Sequence, residues 1–255
     1  MKELITAKIK EFVAKENEKL HIYREPIVGF AKADSEYMDS LPEISEGHGK
    51  PVEVLDGAKT VIAYFIPYTL AFNEENKFEG LASESWAKGY EDTNEMIGRL
   101  NEYIISEVEK AGYRAVLPPD DMSTFDREKI KSYWSQRHMG YAAGIGTFGL
   151  NNMLITEKGC SGRLGSVVTD FECDWDEPMK EEQCLHKQSG VCLVCVRNCM
   201  SGAITEDGEF DREKCYEICK ANARVYDSFG SSYGSDIGSE VCGKCISFSP
   251  CAYRK

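Results

Sequence analysis

Cysteines are the residues of this chain whose type and spacing could do chemistry. There are 11 in 255 residues, none before Cys160, and nine of them lie between Cys184 and Cys251. The cluster reads Cys184-x7-Cys192-x2-Cys195-x3-Cys199, then Cys215 and Cys219, then Cys242-x2-Cys245-x5-Cys251. Thiolates at such short intervals ligate iron–sulfur clusters or zinc. A folded chain of this length is stable without disulfides, so we interpret the cluster as a metal or redox site.

The spacing from Cys192 to Cys199 matches the second half of the bacterial ferredoxin pattern C-x2-C-x2-C-x3-C-P. In that pattern the last cysteine ligates the other of two clusters, and each cubane takes four thiolates. Ser189 stands where the first cysteine is expected, so Cys184 is the candidate for that position. We therefore predict a crossed assignment. One [4Fe-4S] cluster is held by Cys184, Cys192, Cys195 and Cys251, and the other by Cys199, Cys215, Cys242 and Cys245.

Several alternatives to this assignment stay open. Cys219 lies four residues after Cys215 on one predicted helix face, so either could be the ligand. His186 could replace Cys184. Two C-x2-C pairs could instead bind zinc, and disulfides are a further alternative. Cys160 and Cys173 lie outside the pattern and are expected to be ordinary buried thiols.

The elements that position these cysteines follow from hydrophobic periodicity. Helices are predicted over 3–20, 91–111 and 125–143, strands over 26–31, 60–66, 115–117, 153–156 and 164–169, and a loop over 33–58. Two copies of the pentapeptide FDREK predict helices capped by Asp126 and Asp211. Alternating strands and helices indicate an α/β fold class, with α+β as the alternative. We predict a layered domain over 1–178 and a ferredoxin-like two-cluster module over 179–255.

Three stretches of the chain resemble the epoxyqueuosine reductase family, which is related to reductive dehalogenases. They are VLDGAKTVIAYFIP at 54–67, AAGIGTFGLNNMLIT at 142–156 with LGSVVTD at 164–170, and CLVCVRNCMSGAI at 192–204 with 210–215 and 242–245. The resemblance implies an oxidoreductase that binds a corrinoid such as cobalamin beside two [4Fe-4S] clusters. It also implies a cofactor-facing surface formed by Gly144, Gly146, Gly149, Asn151 and Ser166. Glycine lets the backbone approach a flat macrocycle, although a tight turn is the alternative reading.

The catalytic residue is not predicted. The family's proton-donating aspartate has no counterpart in KIKSY at 129–133, and Met200 replaces the proline after the fourth ferredoxin cysteine. His138 and Tyr133 are candidate proton donors, with ordinary packing as the alternative for each. Arg163 and Arg197 could bind an anion or tune a cluster potential.

The charge balance bears on partners and location. The chain has 43 acidic and 30 basic residues and a net charge of −13, which argues against nucleic acid as a partner. The longest apolar run, at 60–71, is too short to span a membrane and contains Pro67. No signal peptide is recognised in the N-terminal residues. We expect a cytoplasmic protein with no membrane association, which meets an electron donor such as a ferredoxin or flavodoxin.

Two hypotheses of function follow. In the first, the protein passes electrons through two clusters to a corrinoid and a small substrate, rather than to epoxyqueuosine in tRNA. In the second, it is an electron-transfer protein without a catalytic site of its own. Corrinoid binding distinguishes them.

Overall fold

The computed structural model describes residues 1–229 and 238–255. The helices are α1 (Lys2–Leu20), α2 (Glu36–Ile44), α3 (Pro51–Val54), α4 (Leu70–Glu74), α5 (Glu84–Lys110), α6 (Asp120–Ser123), α7 (Gln136–Ala142), α8 (Leu185–Ser189), α9 (Val194–Arg197), α10 (Arg212–Val225) and α11 (Lys244–Ser247). The strands are β1 (Ile27–Lys32), β2 (Thr60–Pro67), β3 (Ala115–Val116), β4 (Gly146–Phe148), β5 (Leu154–Thr156) and β6 (Gly162–Thr169).

A four-stranded sheet in the order β1-β2-β6-β3 forms the centre of the fold. Each neighbouring pair is antiparallel, with Gly29 opposite Ala63 and Ala63 opposite Ser166. β4 and β5 form a separate antiparallel hairpin. The predicted mixture of helices and sheet is confirmed, and the antiparallel pairing makes it the α+β form of that prediction.

Helices cover both faces of this sheet. Side chains alternate along β2, so Ile62, Tyr64 and Ile66 enter the core that contains α1 and α5. The intervening side chains enter the second core, formed with α2 and α7; they are Val61, Ala63 and Phe65. Both sides of β2 are buried, which explains why its sequence is a continuous apolar run.

The two FDREK copies fold differently. Asp211 caps α10 as predicted, because its side chain accepts a hydrogen bond from the Lys214 N–H. Asp126 instead accepts from the N–H groups of Glu128 and Lys129 in a tight turn, and Ile130 then adopts φ 52°. A left-handed residue there interrupts the predicted 125–143 helix, and α7 begins only after Ser135.

Other boundaries also differ from prediction. The segment expected to be a loop contains α2 and α3, and α2 is capped by the Ser35 side chain. α5 begins several residues early, where Ser83 caps it. The cysteine-rich tail joins the core of α1 and α5 through buried residues that include Cys195, Ile204 and Ile246. The division at residue 178 stays a prediction.

Within 1–229 and 238–255, no helix has both the length and the apolar character needed to cross a membrane.

Candidate cysteine centre

Four of the predicted ligands form what we call the first cysteine group: Cys184, Cys192, Cys195 and Cys251. Cys184 precedes α8, Cys195 lies in α9, and Cys251 comes from the far end of the tail. All four line one small cavity of about 10 Å³, which is completed by Leu150, Asn151, Ile155, Leu185 and Ser249. Burial, together with the neighbouring thiols Cys251, Cys184 and Cys192, raises the pKa of Cys195 to about 11. These three thiols therefore lie close enough to Cys195 to affect its charge.

Cys160 lies beside this group, where sequence reasoning had expected an ordinary buried thiol. Its Sγ is 3.9 Å from the Sγ of Cys251, and its N–H donates to the Cys251 carbonyl at 2.8 Å. The thiol contact raises the pKa of Cys160 well above its usual range and lowers that of Cys251. No spacing signal could have shown this, because the two residues are 91 positions apart.

The other four predicted ligands form the second cysteine group: Cys199, Cys215, Cys242 and Cys245. They line one large cavity of about 240 Å³, together with Cys219. Gly243 turns the chain between Cys242 and Cys245 with φ 73°. A Cβ at Gly243 would lie 2.4 Å from the Trp86 indole nitrogen, so both its backbone conformation and the available space require glycine.

Protonation differs among these thiols. Burial raises the pKa of Cys242 to about 11 and that of Cys245 well above its usual range. The Cys219 thiol hydrogen-bonds Cys215 and thereby lowers the pKa of Cys215, and the guanidinium of Arg137 lowers it as well. The same contact raises the pKa of Cys219. Of the two alternatives on α10, Cys215 is the better thiolate.

Cations and aromatic rings surround the second group. Arg137, Arg163 and Lys244 line the large cavity, and so do the rings of Tyr68, Trp86, Tyr90 and Phe210. The Arg163 guanidinium lies 4.3 Å from the centroid of the Tyr90 ring. Lys244 Nζ donates to the Asn76 carbonyl at 3.0 Å. The surroundings of the second group therefore carry positive charge.

Buried asparagines fasten the tail to the N-terminal part of the chain. Asn76 Nδ2 donates to the Cys242 carbonyl at 2.9 Å, and Asn73 Nδ2 donates to the Ser247 carbonyl at 3.3 Å. Asn222 Oδ1 accepts from the Ala82 N–H at 2.7 Å. Sequence reasoning missed these residues, because an isolated asparagine carries no signal of its distant partner.

The predicted corrinoid-facing glycines pack against the protein itself. A Cβ at Gly144 would lie 2.5 Å from the Glu177 carbonyl oxygen, and one at Gly146 would lie 2.3 Å from that of Ile155. A Cβ at Gly149 would meet the Ile155 side chain at 2.7 Å. Each glycine thus allows close approach between two segments of the chain.

The two predicted polar residues have different surroundings. Ser166 accepts a hydrogen bond from Trp134 Nε1 at 3.0 Å and donates to Gln136 Oε1 at 2.6 Å. Asn151 lines both the small and the large cavity. Of the five residues predicted to face a corrinoid, Asn151 is the one that reaches the cysteine cavities.

The candidate proton donors lie away from these cavities. His138 Nδ1 is 2.6 Å from the Tyr37 hydroxyl, and burial lowers the pKa of His138 to about 4, so it is neutral at pH 7. The Tyr133 hydroxyl donates to Asp126 at 3.2 Å. Neither side chain lines the small or the large cavity. Arg163 is a cavity residue, whereas Arg197 is not.

The donor set fits an iron–sulfur cluster at each group, since four cysteines share each cavity. The Trp86 indole N–H adds to this fit. It is buried beside Gly243 and has no hydrogen-bond partner among the described residues, so it suits an anionic group rich in acceptors. Three or more His, Cys, Asp or Glu side chains do not converge on a single-ion site anywhere in the described part of the chain. The zinc alternative gains no support from this arrangement.

The cavities do not decide between Cys184 and His186. Cys184 lines the small cavity and His186 does not. The Nδ1 atom of His186 is nevertheless buried, with no hydrogen-bond partner within 1–229 and 238–255.

Known proteins resemble this chain in sequence and in fold. No family model matches the chain. An epoxyqueuosine reductase from Bacillus anthracis is 26% identical over 217 residues, which cover 80% of this chain and 52% of that protein. The chain therefore spans about half the length of this curated relative.

Solved structures show the same likeness. An epoxyqueuosine reductase in complex with an epoxyqueuosine-modified tRNA-Tyr stem loop superimposes with a TM-score of 0.53 at 19% identity, covering 97% of this chain and 66% of the other. A catabolic reductive dehalogenase gives a TM-score of 0.60 at 15% identity, covering 89% and 30%. The predicted resemblance to both groups of oxidoreductases is confirmed, and at these identities the structures establish a shared fold.

Proposed function

We propose that this chain is an iron–sulfur reductase in which each cysteine group holds one [4Fe-4S] cluster. One observation carries the proposal. The crossed assignment predicted from spacing divides eight cysteines into two sets, and each set lines its own cavity.

When bound, the clusters supply one-electron transfer. The residues around them hold and protect them. Leu150, Ile155 and Leu185 line the small cavity with aliphatic surface. Thiols must lose their protons to ligate metal, so the raised pKa values of Cys195 and Cys242 make cluster assembly a proton-releasing step.

The large cavity is the proposed place for the electron acceptor. It adjoins the second group, and its rings of Tyr68, Trp86 and Tyr90 favour a compact planar molecule. The proposed electron donor, a ferredoxin or flavodoxin, approaches the first group. There Leu185 and Val191 are 40% and 77% exposed, respectively, and offer an apolar contact.

The residues predicted to hold a corrinoid do not fit that group as they are arranged. Gly144, Gly146 and Gly149 are covered by the chain's own atoms, and Ser166 is already hydrogen-bonded within the protein. We therefore derive no step through a corrinoid and propose electron delivery directly from the second group to the acceptor.

A compact small molecule is the proposed substrate, and epoxyqueuosine in tRNA is the second candidate. The name of the curated relative and the tRNA stem loop in a solved neighbour favour the second candidate. The prediction that nucleic acid is not a partner is accordingly not supported.

The first experiment is anaerobic purification with analysis of iron, sulfide, zinc and cobalt, before and after addition of cobalamin. We expect about eight irons per chain, four for each cubane, and no stoichiometric cobalamin uptake. Zinc in place of iron would overturn the proposal, and cobalamin binding at one per chain would overturn the direct electron path.

A second experiment tests catalysis. The reduced protein is mixed with an epoxyqueuosine-modified stem loop or with small planar electrophiles, and products are measured by mass spectrometry. Turnover of the stem loop would favour the second candidate over the first. Reversible reduction with no turnover of either class would favour the electron-transfer alternative.

A further inference from the structure

We infer that Arg137 raises the reduction potential of the second cluster above that of the first, so that electrons come to rest beside the large cavity. This inference rests on the proposed function. Arg137 is contributed by α7, outside the cysteine-rich tail, and it lines the same cavity as the second cysteine group.

The charge of Arg137 is not balanced by a carboxylate. Its Nη1 donates to the Asn152 carbonyl, and no acidic side chain among the described residues forms an ion pair with it. The groups near enough to favour its ionised form are Cys215 and Cys245, once their thiols have lost their protons as cluster ligands. A desolvated guanidinium needs such a counter-charge, and an anionic cluster at the second group supplies it.

The other charged residues of the large cavity do not cancel the positive charge of Arg137. Arg163 and Lys244 add two further cations to the lining. Glu240 is the acidic residue in the lining, and it is already neutralised: Arg127 donates to it at 2.8 Å and the Tyr216 hydroxyl at 2.5 Å. The field at the second group is therefore positive.

The first group has no comparable charge. The residues that complete its cavity are Leu150, Asn151, Ile155, Leu185 and Ser249, all neutral. Arg254 acts on Cys251, but it lies outside the cavity lining, and its guanidinium is directed to Gln183.

Reduction of a cluster adds one negative charge. A fixed cation close to the cluster stabilises the reduced form more than the oxidised form, and so raises the potential. With clusters bound at both groups, this difference would favour transfer of one electron from the first cluster, which would be oxidised, to the second, which would be reduced, with no bond formed or broken. The electron originally comes from the reduced ferredoxin or flavodoxin.

The experiment is a redox titration of the anaerobic holoprotein followed by electron paramagnetic resonance, with the Cys195→Ala and Cys242→Ala variants assigning each signal. In the unaltered protein we expect the second cluster to have the higher potential. Arg137→Gln should lower the reduction potential of the second cluster and leave that of the first unchanged. Arg137→Lys keeps the positive charge, so the potential of the second cluster should stay close to that of the unaltered protein. The matched control Arg254→Gln should leave the second cluster unchanged.

A first cluster with the higher potential in the unaltered protein would overturn the inference, whatever the variants do. So would an Arg137→Gln protein with full iron and an unmoved second potential, or Arg137→Lys lowering that potential as much as Arg137→Gln. Iron analysis separates this result from failure of the proposed function, because a protein without about eight irons fails at that earlier step.

Discussion

The two cysteine groups each bring four thiols together but have different surroundings. The first takes three cysteines from one short stretch and the fourth, Cys251, from the far end of the tail, and its cavity is small and neutral. The second is built from Cys199 just after α9, Cys215 on α10, and Cys242 and Cys245 at α11, and its cavity is larger, aromatic and positively charged. Each also has a fifth thiol in contact, Cys160 for the first and Cys219 for the second. Spacing therefore predicts which cysteines share a cavity, and the packed neighbours give each cavity its own size and charge.

The largest expected effect is selective loss of one cluster. Cys195→Ala should remove about four irons and the first signal, and Cys242→Ala about four irons and the second, because each removes one of four ligands. Iron analysis with electron paramagnetic resonance measures both. Cys173→Ala is the matched control: this thiol contacts Thr60 and lies outside both groups, so its iron content should stay at the original value. Equal loss from both clusters in either ligand variant would contradict the division.

A second pair of variants distinguishes the ligand from its neighbour on α10. Cys215→Ser should lose about four irons, whereas Cys219→Ser should keep nearly all of them, because the contact between the two thiols favours the thiolate at Cys215. Iron per chain is the measurement. The reverse pattern would assign Cys219 as the ligand and leave the second group otherwise unchanged.

Lowering the pH should destabilise the second cysteine group before the first, because protonation of a histidine on α7 weakens the packing of that helix. This helix carries both Arg137 and His138. Burial lowers the folded-state pKa of His138 to about 4, so its contribution to stability is complete above pH ~6.5 and is lost as the pH falls from there toward the folded value. We expect the free energy of unfolding to fall by about 2 kcal/mol near pH 4. This is less than the whole pKa shift would give, because His138 is partly exposed and solvent screens its charge.

The measurement is urea unfolding at several pH values, with cluster signals recorded in parallel. His138→Asn, which keeps a hydrogen-bonding group near Tyr37, should flatten the pH dependence. His48 is also buried with a lowered pKa, so some dependence should remain. Earlier loss of the first cluster on acidification would show that α7 does not transmit the effect.

The smallest effect separates the two FDREK copies. Asp211→Ala removes the cap of α10, the helix that carries Cys215, and should lower stability by about 1 kcal/mol. Asp126→Ala is the matched variant in the same pentapeptide and should have a smaller effect on the second cluster, because Asp126 closes a turn and caps no helix that carries a cysteine. The measurements are thermal unfolding and the electron paramagnetic resonance signal of the second cluster. Equal loss of that signal in both variants would contradict the different roles of Asp211 and Asp126.

Local sequence patterns predicted much of this protein. The helical period and capping residues located α1 and α10, and the β-branched run located β2. Spacing alone divided eight cysteines into the two sets that share cavities. The same pentapeptide nevertheless began a helix at Asp211 and a turn at Asp126, because a cap is only one of several hydrogen bonds an aspartate can make.

The sequence by itself determined the mixed fold class, the core strands and the grouping of the tail cysteines, because these depend on residue type and on short spacings along the chain. Only the tertiary structure decided the antiparallel pairing, the place of Cys160 beside Cys251 and the arrival of Arg137 at the second group. Each of these joins segments far apart in the sequence. Packing of the whole chain fixes such contacts, and no local periodicity records them.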